Sequence, residues 1–166
     1  MIGNSGSGKS TLAKALGERF GLPVYHLDKH LLSGNFEKLP HEEYMRVHAE
    51  LIAGEDWVID GNYRHAIPDR IKRATLVVFL DISRVIAVPR VFRRSRRGGH
   101  PADSIPAGAK PEQISWGFFK WTMGYSRRKV AQDLRELCQE AGVPLLVVKN
   151  QPVERLVAEV ERVVLL

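Results

Sequence analysis

Gly3-Asn4-Ser5-Gly6-Ser7-Gly8-Lys9-Ser10, close to the start of this 166-residue chain, decides how the rest is read. A glycine, four residues and then Gly-Lys-Ser run through Thr11 into Leu12, Ala13, Leu16 and Phe20. Those apolar residues recur at helical spacing and stop at Gly21, with Pro23 just beyond. Small residues let backbone N–H groups turn toward an anion, and the N-terminus of the following helix adds the favourable end of its dipole. Lys9 supplies a compact positive charge, and the Ser10 hydroxyl suits a hard cation such as Mg²⁺. The pattern predicts a phosphate-binding loop over residues 3–11 at the head of a helix.

Outward from the loop, strand and helix patterns alternate. Val24 to Leu27 reads as a short strand ending in Asp28, and Tyr44, Val47, Leu51 and Ile52 mark a helix closing near Gly54. Trp57 to Ile59 leads into Asp60-Gly61, and Leu76 to Leu80 leads into Asp81, so two buried-strand runs each deliver a carboxylate at the carboxyl end. A helical segment follows from about Ser83 to Arg94, with a kink expected at Pro89. Residues 96–111 are rich in glycine and proline and read as a mobile flap. Beyond it come an aromatic helix around Trp116 to Tyr125, a helix carrying Val130, Leu134, Leu137, Cys138 and Ala141, a strand over Leu145 to Val148 and an amphipathic closing helix. Strands linked by helical crossovers imply an α/β fold, with a mainly parallel sheet between two helical layers.

The length fits one domain, and 44% hydrophobic residues can build a single core. A formal charge of +6 suits a protein that handles phosphates, on nucleotides or along nucleic acid. The lone cysteine, Cys138, falls on an apolar helical face and points to a reducing, cytoplasmic setting. There is no run of apolar residues long enough for a membrane span. Only Met1 and Ile2 precede the loop, whereas such a loop normally follows a central strand, so a largely missing first strand, by truncation, is expected.

Asp60 and Asp81 compete to hold a water on Mg²⁺ from the end of a neighbouring strand. Asp60 is preferred because Gly61 would let a ligand approach the backbone. Asp28 would face the same crevice, as a contact for an acceptor hydroxyl or as its base. Arg90 and Arg94 lie four apart and suit charge on a transferred phosphoryl group, whereas Arg84, Arg96 and Arg97 read as a solvated face. Trp116, Phe118, Phe119, Trp121 and Tyr125 read as core packing before base stacking. His26 and His30 straddle a strand and a loop and do not make a zinc site.

Gly-Asn-Ser-Gly-Ser-Gly-Lys-Ser-Thr-Leu-Ala at 3 to 13, His-Leu-Asp at 26 to 28, Trp-Val-Ile-Asp-Gly-Asn-Tyr at 57 to 63, and Leu-Asp followed by Arg90 and Arg94, together resemble the DNA topology modulation protein family, a branch of the adenylate-kinase-like P-loop proteins. The likeness runs through nearly the whole chain. It implies a three-layer αβα P-loop NTPase fold of the nucleoside-monophosphate-kinase kind with about five parallel strands. It also implies an acceptor-side insertion near residues 29–55 and a lid near 95–112. By the same likeness Arg64 grips the acceptor's phosphate, and Arg90 and Arg94 are lid-hinge arginines. The chain departs from the family at Leu32, Gly34 and Phe36 on the acceptor side, and at Pro89.

These readings converge on an ATP- and Mg²⁺-dependent phosphotransferase with a nucleotide or small hydroxylated acceptor. Lys9, Arg90 and Arg94 would be catalytic, residues 3–11 would bind nucleotide, Asp28, Asp60 and Arg64 would contact substrate, and Ser10 and Asp60 would hold the metal. The rival is an ATP-switched protein that binds nucleic acid through its basic face, including Arg127, Arg128 and Lys129.

Overall fold

A computed structural model describes residues 1–33, 37–96 and 116–165. Most of the expected lid, Gly34 and Phe36 on the acceptor side, Arg97, and the side chains of Trp116, Phe118 and Trp121 lie outside the described residues. The elements alternate from the start: β1 (Ile2–Gly3), α1 (Lys9–Phe20), β2 (Val24–His26), α2 (Leu27–Leu31), α3 (His41–Ile52) and β3 (Val58–Asp60). A 3-10 turn (Arg64–Ala66) leads into α4 (Ile67–Arg73), β4 (Val77–Leu80) and α5 (Arg84–Arg96). After the undescribed segment come α6 (Trp116–Gly124), α7 (Arg127–Ala141), β5 (Leu145–Val148) and α8 (Val153–Val164).

The architecture is α/β with parallel strands, in a three-stranded sheet ordered β1-β4-β5 and a two-stranded sheet of β2 and β3. The two sheets meet at Met1. Its amine donates to the Ile59 carbonyl, and its own carbonyl accepts from Gly61 N–H, which brings β3 alongside β1. Burial lowers the Met1 amine to about 5, with Arg70 adding to the effect. A shallow cleft beside Met1 and Ile2 is bounded by Trp57, Ile59, Ile71 and Val77.

Helices cover both faces of β4. Val78 and Leu80 pack with Leu12 and Leu16 of α1 and Leu156 and Val160 of α8. Val77 and Phe79, pointing the other way in the pleat, pack with Ile71 of α4 and Leu134 and Cys138 of α7. A third cluster joins Leu27 and Leu31 of α2, Tyr44 and Ile52 of α3, and Ile59 of β3. Tyr125 is buried in the second cluster, and the Phe119 ring lies tilted against Phe92 of α5 at 6.2 Å. Helix α1 ends as the sequence implied, with Gly21 in the left-handed region at φ 66° and its N–H on the Gly17 carbonyl.

One local expectation changes, and one helix runs further than its pattern implied. Asp28 is not at a strand end, because the chain turns into α2 at Leu27, so Asp28 lies in a helical first turn. Helix α5 runs through Pro89 as one continuous element and extends to Arg96. Among the described residues, no helix is long and apolar enough to cross a membrane.

Candidate functional site

The glycine loop leaves β1 at its carboxyl end and folds back on itself before α1. Gly6 and Gly8 take φ of 74° and 96°, conformations that side chains with a Cβ rarely adopt. At Gly6 an added Cβ would lie 2.3 Å from the Ala87 carbonyl oxygen of α5, so the loop is pressed against that helix. Ser7 N–H donates to the Asn4 carbonyl at 3.2 Å, and Leu12 N–H to the Gly8 carbonyl at 3.0 Å. Asn4 is fully buried: its Oδ1 accepts from Ser5 N–H at 2.8 Å and its Nδ2 donates to the Thr122 carbonyl at 3.2 Å. The Ser7 hydroxyl is buried without a hydrogen-bond partner among the described residues. Thr11 is exposed on the first turn of α1.

Lys9 curls over this loop, with Nζ donating to the Asn4 carbonyl at 3.1 Å. Burial holds its ammonium below the ordinary lysine range, against the pull of the Asp60 and Asp28 carboxylates and with the Arg94 charge adding to the depression. Lys9, Asp28, Asp60 and Arg94 are therefore electrostatic neighbours. Arg90 faces elsewhere on α5, donating to Asn150 Oδ1 at 2.8 Å beyond the end of β5. Arg64 is exposed in the 3-10 turn.

Ser10 and Asp60 come together across 50 residues of sequence, the hydroxyl donating to Oδ2 at 2.7 Å. Asp60 is buried, and its other oxygen, Oδ1, lies 2.7 Å from His26 Nδ1. Burial alone would raise the Asp60 carboxyl. The His26 hydrogen bond and the Lys9 charge outweigh it, with help from the Ser10 hydroxyl, and hold the group below its ordinary value. Asp81 is placed differently: its Oδ1 accepts from Arg127 at 2.6 Å. Of the two strand-end carboxylates, Asp60 alone meets Ser10.

Gly61 does not open the backbone to a ligand, contrary to the expectation from its small size. Its bare Cα faces protein, because a Cβ there would lie 2.8 Å from Leu27 Cβ, and its φ is 143°. Its carbonyl is gripped by both terminal nitrogens of buried Arg70, each at 3.1 Å. Burial lowers the Arg70 guanidinium to about 10, against the raising influence of Tyr44 and Asp60.

On the acceptor side, Tyr63 OH donates to Asp28 Oδ1 at 3.1 Å, and the Tyr63 ring packs on Tyr44 at 5.5 Å. Burial raises the Tyr63 phenol, and the Asp28 charge and hydrogen bond raise it further, so it remains a donor.

Sequence reasoning gave no place in the site to Arg70, which it did not name, or to His26, Asn62 and Tyr63. His26 had been weighed as a metal ligand and, like Asn62 and Tyr63, as part of a motif, without a role in the site. Among the described residues no group of three or more His, Cys, Asp or Glu side chains could hold a metal. A cation held by one hydroxyl, water and phosphate oxygens does not need such a group. The Ser10 hydroxyl and Asp60 carboxylate are the hard oxygen donors such a cation takes, and the unpartnered Ser7 hydroxyl lies in the same loop. Comparison of the sequence with protein-family models and with curated proteins finds no match.

Proposed function

We propose that the chain is an ATP-binding, Mg²⁺-dependent phosphotransferase acting on a nucleotide or small hydroxylated acceptor, with a three-layer P-loop fold of the nucleoside-monophosphate-kinase kind. One observation carries the reading: the glycine loop at the end of β1 delivers Ser10 to within 2.7 Å of a buried carboxylate at the end of β3. A flexible glycine turn with no ligand gives no reason for that pairing.

In this reading the loop over residues 3–11 holds the phosphates through those backbone amides that Asn62 and Asn4 do not already engage, and Lys9 exchanges its bond to the Asn4 carbonyl for one to phosphate. Ser10 would hold Mg²⁺ directly and Asp60 through water. The ion would neutralise charge on the phosphate oxygens. An acceptor hydroxyl forms the new O–P bond to the γ-phosphorus as the bond to the β-phosphate oxygen breaks, its proton passes to Asp28, and ADP leaves. Lys9 and Arg94 offset charge on the moving phosphoryl group. Arg90 joins them only by leaving Asn150, and exposed Arg64 meets the acceptor's anionic group.

The test is calorimetric titration of the protein with ATP and Mg²⁺, followed by ADP measurements across nucleoside monophosphates, nucleosides and hydroxylated metabolites. Binding, with ADP formation that depends on one acceptor class, is expected. No binding at millimolar ATP, or binding without transfer to any acceptor, overturns the proposal.

A further inference from the structure

The backbone hydrogen bonds that join the end of β3 to Met1 stop where Gly61 N–H meets the Met1 carbonyl, yet the backbone of Gly3, two residues on, is not left open. The side chain of Asn62 fills it. Gly3 N–H donates to Asn62 Oδ1 at 3.0 Å, and Asn62 Nδ2 donates to the Gly3 carbonyl at 2.6 Å. A primary amide presents a donor and an acceptor side by side, as a strand peptide does, so it can close both bonds at once. Gly3 is the last residue before the loop whose Asn4 carbonyl holds Lys9.

Asn62 is flanked by other contacts to the site. Asp60 bonds Ser10, and Tyr63 bonds Asp28 on the acceptor side. Four consecutive residues therefore tie the start of α1, β1, the entrance of the loop and the acceptor side to one segment.

We infer that Asn62 is a positioning residue that fixes the entrance of the phosphate loop to the segment bearing the acceptor contacts. The consequence for ATP rests on the proposed function; the anchoring of the loop does not. With the amide in place, the entrance of the loop at Gly3 is held to the segment that carries Asp60 before any ligand arrives. Without it, Gly3 loses both partners and the loop must be ordered by the nucleotide itself, which weakens binding.

The experiment compares wild type with Asn62→Ala, with isosteric Asn62→Asp, and with Cys138→Ala, which truncates a buried side chain of α7 and lowers stability without touching the loop. Amide hydrogen exchange is followed without nucleotide, and ATP affinity is measured with Mg²⁺. In both Asn62 variants, exchange in residues 3–8 should rise about tenfold while α7 stays protected, and ATP affinity should fall about tenfold. Asn62→Asp keeps an acceptor for Gly3 N–H but turns a carboxylate oxygen on the Gly3 carbonyl, so it should be no better than Asn62→Ala. Cys138→Ala should change neither loop exchange nor affinity. Loop exchange at the wild-type rate in either folded variant overturns the inference, as does an equal change in Cys138→Ala. Failure of wild type to bind ATP overturns the proposed function instead, while loop exchange still decides the role of Asn62.

Discussion

His48 offers a test of the packing on the acceptor side. It lies on α3, almost wholly buried, with Nε2 lacking a hydrogen-bond partner among the described residues. Burial lowers its pKa from 6.5 to about 4; the Arg70 charge adds to this and Asp69 opposes it. The unfolded chain takes up this proton near pH 6.5, whereas the folded chain resists it until about pH 4, so stability falls as pH drops through that interval. The loss from this group is about 2 kcal/mol by pH 5 and about 3 kcal/mol by pH 4. The Met1 amine, lowered to about 5, and His30, held below its ordinary value chiefly by burial, add pH dependence of their own, so the wild-type curve alone does not isolate His48. Subtracting the curve of His48→Leu, similar in volume and unable to titrate, does. Urea unfolding at intervals between pH 7 and 4.5 should show the variant gaining about 2 kcal/mol on wild type by pH 5, whatever their offset at pH 7. Parallel curves would refute a neutral, buried His48.

Three further changes probe the loop and its metal partner. Lys9→Ala should abolish detectable ATP binding in calorimetry while the far-UV circular dichroism stays that of wild type. Gly6→Ala puts a Cβ 2.3 Å from the Ala87 oxygen at a φ of 74°, so it should lower stability by roughly 2 kcal/mol or more in urea unfolding and remove ATP binding. Asp60→Asn weakens the hold on Ser10 and His26 and should raise the Mg²⁺ needed for half-maximal turnover at least about tenfold. Asp81→Asn breaks only the half-exposed pair with Arg127 and should cost less than about 1 kcal/mol with no change in Mg²⁺ requirement. Equal effects of the two asparagine substitutions would remove the distinction drawn between the carboxylates.

The elements most legible in the sequence were those whose signals are local. Helix α1 declared itself by Leu12, Ala13 and Leu16 on one face and by a glycine stop, and β4 by a continuous apolar run that is buried on both faces. The turn at Leu27 was not legible, because four residues cannot separate a strand end from the first turn of a helix by periodicity. Tertiary packing decides it: Leu27 is drawn into the cluster with Tyr44 and Ile59, and the chain bends into α2 to bury it. Pro89 does not end the helix that it interrupts. It removes one N–H from α5, but buried Ala87 and Val91 anchor the helix on either side of it.

The candidate site divides along the same line. Lys9 and Ser10 follow from a contiguous motif, whereas the choice between Asp60 and Asp81 depended on tertiary placement: β4 is the strand paired with β1, yet its Asp81 meets Arg127, while Asp60 of β3 meets Ser10. The residues that were missed act across long separations: His26 reaches Asp60 over 34 positions and Asn62 reaches Gly3 over 59. No spacing rule covers such contacts, but each type carried a physical cue. A short polar amide directly after a strand and a glycine can stand in for a backbone peptide. A histidine in register with an aspartate on a neighbouring parallel strand can hold one carboxylate oxygen while the other remains for a hydroxyl. His26 and Asp60 are such a register pair on β2 and β3. The pairing of two strands thus orients the carboxylate, and the amide two residues later anchors the loop. The same short segment, residues 60–63, therefore governs both how firmly Asp60 meets Ser10 and how firmly Gly3 is held, and a change at Gly61 that shifts its backbone should disturb both together.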